Sequence, residues 1–184
     1  MTLNQLHAKR LSPSKTIPTG IIGLIRKHNL DTPERVEKCI DFHFHNNCKC
    51  GIKSLGTLND FATIMHKDQT DFTYQECKDY IIDLYTLKSF YGHLKEMHVI
   101  LQLRSSLKNN FRYATDVEDS LYAIDIVIDN VAAVQVKPLS YHNVDKTTNQ
   151  KKNKAFGKPV YYIYYDKDGI YNIENLIDII WYNH

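Results

Sequence analysis

The spacing of apolar residues predicts a helical first half and a β-rich second half of the chain. Residues 1–19 contain several Ser, Thr and Pro residues, and we expect an irregular arm there. Beyond it, apolar positions recur three and four residues apart, as they do on one face of a helix. Helices are predicted over residues 20–28 and 34–45, from residue 74 onwards, and over 90–107.

Two of these helices carry start signals. Thr32, Pro33 and Glu34 have the order of an N-cap followed by a proline at the first helical position. Thr73 and Glu76 have the spacing of a capping box, in which each side chain binds the backbone N–H of the other residue. Both signals predict where the chain enters a helix.

The pattern changes after Asn110. Runs rich in Val, Ile and Tyr predict strands over residues 121–128, 131–136 and 160–165, and a final helix follows over 173–181. The pair Asp129-Asn130 is a turn signal between the first two strands. The order predicts an α+β fold, in which a small mixed sheet flanked by helices follows a helical N-terminal half.

Composition limits the class of protein. A chain of 184 residues, 43% of them hydrophobic, is long enough for one domain with a substantial core. The formal charge is only +2, so net charge does not indicate a nucleic-acid partner. The first residues are polar, and no apolar run reaches about 18 residues. We therefore expect no signal peptide, no membrane span, and a cytoplasmic protein with reduced thiols.

Three polar side chains interrupt the apolar strands. Asp125 lies within Ala-Ile-Asp-Ile-Val-Ile, and Gln135 and Lys137 lie within Ala-Val-Gln-Val-Lys-Pro. A carboxylate among isoleucines is costly unless it has a partner, such as a metal ion. Residues two apart point to the same face of a strand, so Gln135 and Lys137 share a face.

The length of the turn decides whether Asp125 joins that face. A two-residue turn would leave Asp125 and Gln135 on different faces. A three-residue turn pairs Ile128 with Ala132 and sets Asp125 opposite Gln135. A shared site therefore predicts an odd loop or a bulge, with Asn130 near the left-handed backbone region.

These residues resemble the signature of the PD-(D/E)XK nucleases, in particular that of type II restriction endonucleases. The signature places an Asp on one strand of a hairpin and, on the next, an acidic or amide residue two positions before a Lys. Here the three are Asp125, Gln135 and Lys137, followed by Ser140-Tyr141 and the strand at 160–165. The resemblance covers roughly residues 90–184 and implies a restriction-endonuclease-like core.

Two positions depart from the family's pattern. Ile124 stands where a proline is usual, and Gln135 stands where a glutamate is usual. The amide keeps an oxygen for a metal but removes one negative charge. In this hypothesis nearby carboxylates compensate. They are Glu118 and Asp119, just before the strand, and Glu96 on the preceding helix, where the family often carries an acidic residue.

The resemblance implies Mg²⁺-dependent hydrolysis of double-stranded DNA without a covalent intermediate. Asp125 and Gln135 would hold Mg²⁺, a hard cation that prefers oxygen ligands. The ion would polarise the phosphate and lower the pKa of its water. Lys137 would orient or activate that water and offset charge in the transition state. Glu118 and Glu96 are further candidate catalytic residues.

A polar segment, residues 142–158, follows the predicted site and is rich in Asn and Lys. We expect a long loop whose cations bind DNA phosphates and which orders on binding. A solvated surface loop is the alternative. The candidate DNA-binding residues are Tyr141, Lys146, Lys151, Lys152 and Lys154.

Cysteines and histidines cluster at residues 39–50 and raise the question of zinc. The cluster comprises Cys39, His43, His45, Cys48 and Cys50. Its spacing is not that of a standard zinc finger, and no second cluster of ligands follows in the sequence. Helical packing and a polar loop account for these residues adequately, so zinc is the lesser alternative.

These observations predict a type II restriction endonuclease in a single compact unit, residues 1–184. Residues 1–89 would recognise DNA and mediate dimerisation, and residues 90–184 would form the catalytic core. A homodimer is implied by the class, because a two-fold protein matches a palindromic site, while a monomer is compatible with this size. The alternatives are another nuclease of the same fold, from repair, homing or phage biology, and a DNA-binding module with a degenerate nuclease core.

Overall fold

A computed structural model describes residues 1–11, 21–46, 48, 56–129, 131–143 and 147–183. It divides into two compact units, Met1–His93 and Leu94–His184. Among the described residues, no helix combines the length and apolar character that a membrane span requires.

The first unit is helical, as the apolar spacing predicted. It contains α1 (Leu3–Leu11), α2 (Ile21–His28), α3 (Pro33–Asn46), α4 (Leu58–His66) and α5 (Tyr74–Ile82). A π-helical segment, Asp83–Lys88, then leads into α6 (Ser89–Ser106), which continues into the second unit. The predicted helices at 20–28, 34–45 and 90–107 are confirmed within the described residues, and so is the helix that follows Thr73.

The N-terminal arm was a wrong prediction for residues 3–11, which form α1. Thr2 and Gln5 make a capping box: the Thr2 N–H donates to Gln5 Oε1 at 2.9 Å, and the Gln5 N–H donates to Thr2 Oγ1 at 3.2 Å. Leu6 and Leu11 are fully buried. The rest of the predicted arm, residues 12–19, lies outside the described residues.

The predicted capping box at Thr73 is present. The Thr73 N–H donates to Glu76 Oε2 at 2.7 Å, and the Glu76 N–H donates to Thr73 Oγ1 at 3.2 Å. The Thr32 hydroxyl likewise accepts from the Arg35 N–H at 3.3 Å, and Pro33 is the first residue of α3. Both start signals are therefore confirmed.

The second unit combines helices with one mixed sheet, which confirms the α+β class. After α6 come β1 (Phe111–Tyr113), α7 (Asp116–Tyr122), β2 (Ile126–Ile128) and β3 (Ala132–Pro138). A 3₁₀ turn, Leu139–Asn143, is followed by α8 (Thr147–Ala155), β4 (Val160–Tyr165), β5 (Ile170–Tyr171) and α9 (Ile173–Asn183). The order of these five strands follows the chain from β1 to β5, and among the described residues β3 and β4 form the one parallel pair.

The sheet has two unlike faces. Gln135 is paired with Tyr162 and Lys137 with Tyr164, so these four side chains share one face. The alternate positions form the other face, which packs on α6 and α9. The fully or almost fully buried members of this core include Val99, Leu103, Ile126, Ile128, Val134, Ile163, Leu176 and Ile180.

Two of the predicted elements differ from the observed ones. The strand expected over 121–128 begins only at Ile126, because a capping box between Thr115 and Glu118 starts α7, and the chain stays helical to Tyr122. Ala123 then ends that helix with a positive φ of 52°. The loop expected over 142–158 contains α8 at Thr147–Ala155. This helix is almost entirely polar, and Asn153 is its buried residue.

The predicted register of the hairpin is confirmed. Ile128 is paired with Ala132, so the turn has three residues. Among the turn residues that the structure describes, Asp129 adopts the left-handed backbone conformation, with a φ of 41°. Asn130, to which the sequence assigned that conformation, lies outside the described residues.

The start of α7 leads to a prediction about stability. Arg112 donates two hydrogen bonds of 2.7 Å to the Glu118 carboxylate, and these bonds, followed by the Thr115 N–H, lower the pKa of Glu118 to about 2. Glu118→Gln keeps an acceptor for Thr115 but loses the charge. We expect a loss of about 1 kcal/mol at pH 7, reduced by solvent screening of the half-exposed Arg112.

Urea unfolding at pH 7 and pH 3 checks this prediction. Because the pKa of Glu118 is lower in the folded chain, its stabilisation is complete above about 4.5 and disappears as the pH falls through about 2. The difference from wild type should therefore be smaller at pH 3 than at pH 7. Glu174→Gln, at an exposed position in α9, is the control. An equal loss in both variants would contradict the role of the ion pair.

Candidate active site

Asp125 lies where the hairpin ladder ends. Its N–H donates to Val134 O at 2.9 Å, and its own carbonyl accepts from the Ala114 N–H at 2.9 Å. β2 begins at Ile126, which is paired with Val134, so β3 continues past the start of its partner. The Val136 N–H, one step further along β3, donates to Asp125 Oδ2 at 2.7 Å. The carboxylate therefore takes the place of a backbone acceptor at the end of the ladder.

Burial raises the pKa of Asp125 to about 6. Loss of hydration is the main cause, because it disfavours the charged form. Lys137 opposes that effect, while the carboxylates of Glu96 and Asp119 add to it and the Val136 N–H opposes it. The side chain retains an exposed fraction of 11%. Asp125 is thus a carboxylate held in an environment that favours its protonation unless a cation is near.

Lys137 supplies one such cation. Its Nζ lies 3.4 Å from Asp125 Oδ2. Burial alone would lower the pKa of Lys137, but attraction by Asp125, Asp119 and Glu96 outweighs it and raises the pKa. The ammonium group is therefore protonated at neutral pH and acts here as a fixed positive charge.

Gln135 contributes a buried acceptor. Its residue exposure is 2%, and Oε1 has no hydrogen-bond partner among the described residues. A buried acceptor without a partner costs free energy, on the order of 1–3 kcal/mol, and such groups often mark a ligand. The observed register brings Asp125 to the face that carries this amide and Lys137, so Gln135 Oε1 is available as a ligand oxygen on the face of the ion pair.

Two further carboxylates act on the pair. Glu96, on α6, is almost fully buried, and Asp119 lies on α7. Both influence the pKa values of Asp125 and Lys137. Three carboxylates around one lysine leave a local excess of negative charge, which is the electrostatic condition for a divalent cation. Asp125, Gln135 and Glu96 offer the oxygen ligands that Mg²⁺ prefers, so these residues fit such an ion.

Glu118 is engaged differently. Its two carboxylate oxygens accept from Arg112, and Oε2 also accepts from the Thr115 N–H at 2.9 Å. Of the candidate acids, Glu96 and Asp119 are the ones whose charges act on Asp125. The structure thus gives Glu118 a role at the start of α7, and its predicted catalytic role has no support in this geometry.

The candidate DNA-binding residues lie on or beside α8. Lys151 and Lys154 are exposed on the helix, whereas Lys152 Nζ donates to Ser120 O at 2.8 Å. Lys146 lies outside the described residues. Tyr141 stacks on Tyr162, with ring centroids 6.4 Å apart.

A row of tyrosines, which the sequence reasoning missed, continues the face of the sheet beside Gln135 and Lys137. Tyr162 stacks on Tyr164 with ring centroids 6.1 Å apart. With its amide oriented to satisfy both ends, Asn153 accepts from the Tyr162 hydroxyl at 2.8 Å and donates to Tyr122 O at 2.7 Å. The alternation in Val-Tyr-Tyr-Ile-Tyr-Tyr was the available signal, because every second tyrosine of a strand shares a face.

A cleft opens beside this row. Its volume is about 450 Å³, and its lining includes Gln150, Asn153, Lys154, Lys158 and Tyr162. Two lysines and an aromatic ring in one cleft combine a positive charge with a stacking surface.

A match to a family model over most of its length places the chain among the restriction endonucleases, a class of DNA-cleaving hydrolases of restriction systems. The model of the MjaI restriction endonuclease family matches residues 22–175, and the chain belongs to that family. No curated protein and no solved structure matches it at a significant level. The family match includes all of Asp125, Gln135 and Lys137 and most of the helical first unit.

The carboxylate cluster predicts a pH-dependent response to metal. At ten times its Kd, Mg²⁺ should stabilise the free protein at pH 8 by about 1.4 kcal/mol, which corresponds to about 3–6 °C in Tm. Asp125 binds a cation in its ionised form, and its pKa is about 6. At pH 5 the apparent affinity should therefore fall about tenfold, and the shift should decrease to about a quarter of its value at pH 8.

Thermal unfolding with and without Mg²⁺ measures this response. Asp125→Asn keeps an acceptor for the Val136 N–H and should lose the shift at both pH values. Gln135→Met removes the buried Oε1 at similar volume and should weaken the shift. Asp178→Asn, at an exposed position in α9, is the matched control and should respond like wild type. A shift that survives Asp125→Asn would rule out this carboxylate as a ligand.

Proposed function

We propose that the protein hydrolyses double-stranded DNA at a short specific sequence in a Mg²⁺-dependent reaction, as a PD-(D/E)XK-type nuclease. The observation that carries the proposal is the arrangement at the end of the hairpin. There the Asp125 carboxylate lies 3.4 Å from Lys137 Nζ, and the unpartnered Gln135 Oε1 lies on the same face. Membership of the MjaI restriction endonuclease family supports DNA as the substrate.

Asp125, Gln135 and Glu96 are the residues that would hold the metal. A bound Mg²⁺ supplies Lewis-acid polarisation of the scissile phosphate and a lowered pKa for water. Gln135 carries one charge fewer than the glutamate usual in this signature, and the nearby charges of Glu96 and Asp119 offset that difference. The Val136 N–H and Lys137 Nζ both donate to Asp125 Oδ2, so Oδ1 would be the oxygen that holds the metal.

Lys137 would stabilise negative charge as it develops on the phosphate. Its pKa is raised by the three neighbouring carboxylates, so it enters the reaction as an ammonium ion that donates hydrogen bonds. A protonated lysine orients an attacking water or a phosphate oxygen rather than removing a proton. This assignment refines the broader role that the sequence pattern predicted for Lys137.

Contacts with DNA would come from both halves of the chain. We assign phosphate contacts to the exposed Lys151 and Lys154 of α8, the helix that follows β3 in the chain. Residues 1–89 would supply base recognition and dimer contacts. A homodimer would suit a palindromic site, because each protomer then cleaves one strand in the same way.

A catalytically degenerate DNA-binding module is the second candidate, and Gln135 is the observation that favours it. Loss of the glutamate charge weakens metal binding where the surrounding carboxylates do not compensate. Binding of DNA without cleavage, in the presence of Mg²⁺, is the behaviour that identifies such a module.

Incubation with unmethylated plasmid and phage DNA, in Mg²⁺ or in EDTA, tests the proposal. Wild type should give discrete bands with Mg²⁺ and none with EDTA. Lys137→Ala should lower the cleavage rate by at least about 100-fold, because it removes the charge that stabilises the transition state. Lys167→Ala, at an exposed position in the turn after β4, removes an equal charge away from the strand and should cleave like wild type.

Each other outcome points to a different protein. A smear indicates a nuclease without sequence specificity. Cleavage restricted to damaged or branched DNA indicates a repair or structure-specific enzyme. Intact DNA on several substrates and metals, with a mobility shift in gels, would leave the binding module. Undiminished cleavage by folded Lys137→Ala, with its Tm unchanged, would overturn the assigned site.

A further inference from the structure

Three metal-binding side chains converge in the first unit, outside the site already described. They are His28 at the end of α2, His43 on α3, and Cys48 beyond the end of α3. The Nε2 atoms of the two histidines are 3.0 Å apart. The ligand atoms of all three residues lie within 4.8 Å of one another. His43 is buried, and the other two are partly buried.

The helix pair brings these residues together. After His28, Asn29 takes a positive φ of 48°, and the Leu30 N–H donates to Ile25 O at 3.0 Å, which ends α2 tightly. Pro33 then starts α3, so the chain reverses within a few residues and α2 packs on α3. His28 therefore meets His43 and Cys48 because the chain turns between two helices. The spacing of Cys and His along the sequence does not predict this contact.

The chemistry of the three groups suits zinc. Two imidazoles and a thiolate are borderline and soft ligands, which select Zn²⁺ over Mg²⁺. A neutral imidazole has a lone pair for a metal, and a thiol or a charged imidazole loses its proton when it binds one. In a tetrahedral zinc site, Zn–N bonds of about 2.0–2.1 Å place two nitrogens about 3.3 Å apart. The observed separation of 3.0 Å is close to that value.

A hydrogen bond between the rings is the competing explanation. One neutral imidazole can donate through Nε2–H to the Nε2 lone pair of the other, and 3.0 Å is an ordinary length for that bond. This bond accounts for the two histidines alone. It does not account for the third ligand type beside them, because Cys48 Sγ also lies within 4.8 Å of ligand nitrogens of both rings.

We propose that His28 Nε2, His43 Nε2 and Cys48 Sγ bind one Zn²⁺ ion, which is distinct from the catalytic metal. Binding converts the Cys48 thiol to a thiolate and releases one proton. Both rings bind as neutral imidazoles that carry their remaining proton on Nδ1. Three protein ligands leave one position of the tetrahedron for water or another ligand.

The ion would act as a staple between α2, α3 and the chain after α3. These elements belong to the helical unit, so the metal would contribute to stability rather than to the hydrolytic step. The cysteine–histidine cluster noted in the sequence is therefore only partly involved. His43 and Cys48 join His28, which lies outside that cluster, while His45 is exposed and Cys50 lies outside the described residues.

Metal content and cobalt spectroscopy of the full-length, tag-free protein test the proposal. Protein expressed with added zinc and dialysed into metal-free buffer should contain about one zinc per chain. Protein loaded with Co²⁺ should show a thiolate-to-cobalt charge-transfer band and strong tetrahedral d–d bands. His28→Ala and Cys48→Ser should each lose the zinc, and Cys48→Ser should also lose the charge-transfer band.

Matched control variants distinguish zinc binding at this site from nonspecific zinc binding by other thiols and imidazoles. His45→Ala removes an exposed histidine of the same helix, and Cys77→Ala removes a buried cysteine of the same unit. Both should retain the zinc. Zinc should also raise the Tm of wild type by about 5 °C or more at a hundredfold excess over Kd, and it should leave the Tm of Cys48→Ser unchanged.

Three results would overturn the proposal. They are zinc content near zero in wild type without binding of added zinc, a Co²⁺ spectrum that lacks the charge-transfer band, and zinc retained by both His28→Ala and Cys48→Ser. Asp125→Asn gives an internal check, because it should abolish the Mg²⁺ response and leave the zinc in place. Either metal assignment can therefore be disproved without affecting the other.

Discussion

The candidate active site depends on one hydrogen bond, between the Val136 N–H and Asp125 Oδ2 at 2.7 Å. Charge-assisted bonds of this kind are short and strong, and this one lies just before the start of β2, where β3 continues beyond its pairing with β2. The sheet would otherwise leave a strand N–H without a partner at this point. By filling that position, the carboxylate is held in a single orientation toward Lys137. The end of the hairpin ladder and the charged site are thus the same structural feature.

The groups at this site are buried without full compensation of their charge and hydrogen bonding, which is typical of a ligand-binding site. Burial and two neighbouring carboxylates raise the pKa of Asp125 to about 6, and Lys137 offsets only part of the effect. Gln135 adds a buried oxygen without a partner. Features that destabilise the free protein at neutral pH are expected where a ligand later supplies the missing interactions. A divalent cation would supply them all, since it binds carboxylate and amide oxygens and compensates the excess negative charge.

The helical unit presents a different kind of ligand chemistry. His28, His43 and Cys48 offer nitrogen and sulfur, whereas Asp125, Gln135 and Glu96 offer oxygen. Because of this difference in ligand softness, a structural zinc ion would prefer the first set of ligands and a catalytic magnesium ion the second. The family match covers both sets of residues, so both are open to comparison among relatives of this chain.

The sequence by itself determined the α+β class, most helix starts and the face of the sheet that carries Asp125, Gln135 and Lys137. These features depend on local rules: periodicity places side chains on faces, capping residues start helices, and an odd turn fixes the register that pairs Ile128 with Ala132. Two of its errors arose where a capping box started a helix that the sequence analysis had not predicted. Thr115 and Glu118 started a helix in a segment whose later residues favour a strand, and Thr2 and Gln5 did so in the expected arm.

Only the tertiary structure decided which charged groups meet. Glu96 and Asp119 act on Asp125 while Glu118 is engaged by Arg112, although all three acids were equal candidates in the sequence. His28 joins His43 and Cys48 only because the chain reverses between α2 and α3. Ion pairs, hydrogen bonds and metal-ligand bonds form only between atoms that lie a few ångströms apart in space. Residues far apart along the chain acquire such partners only through packing, which local sequence patterns do not encode.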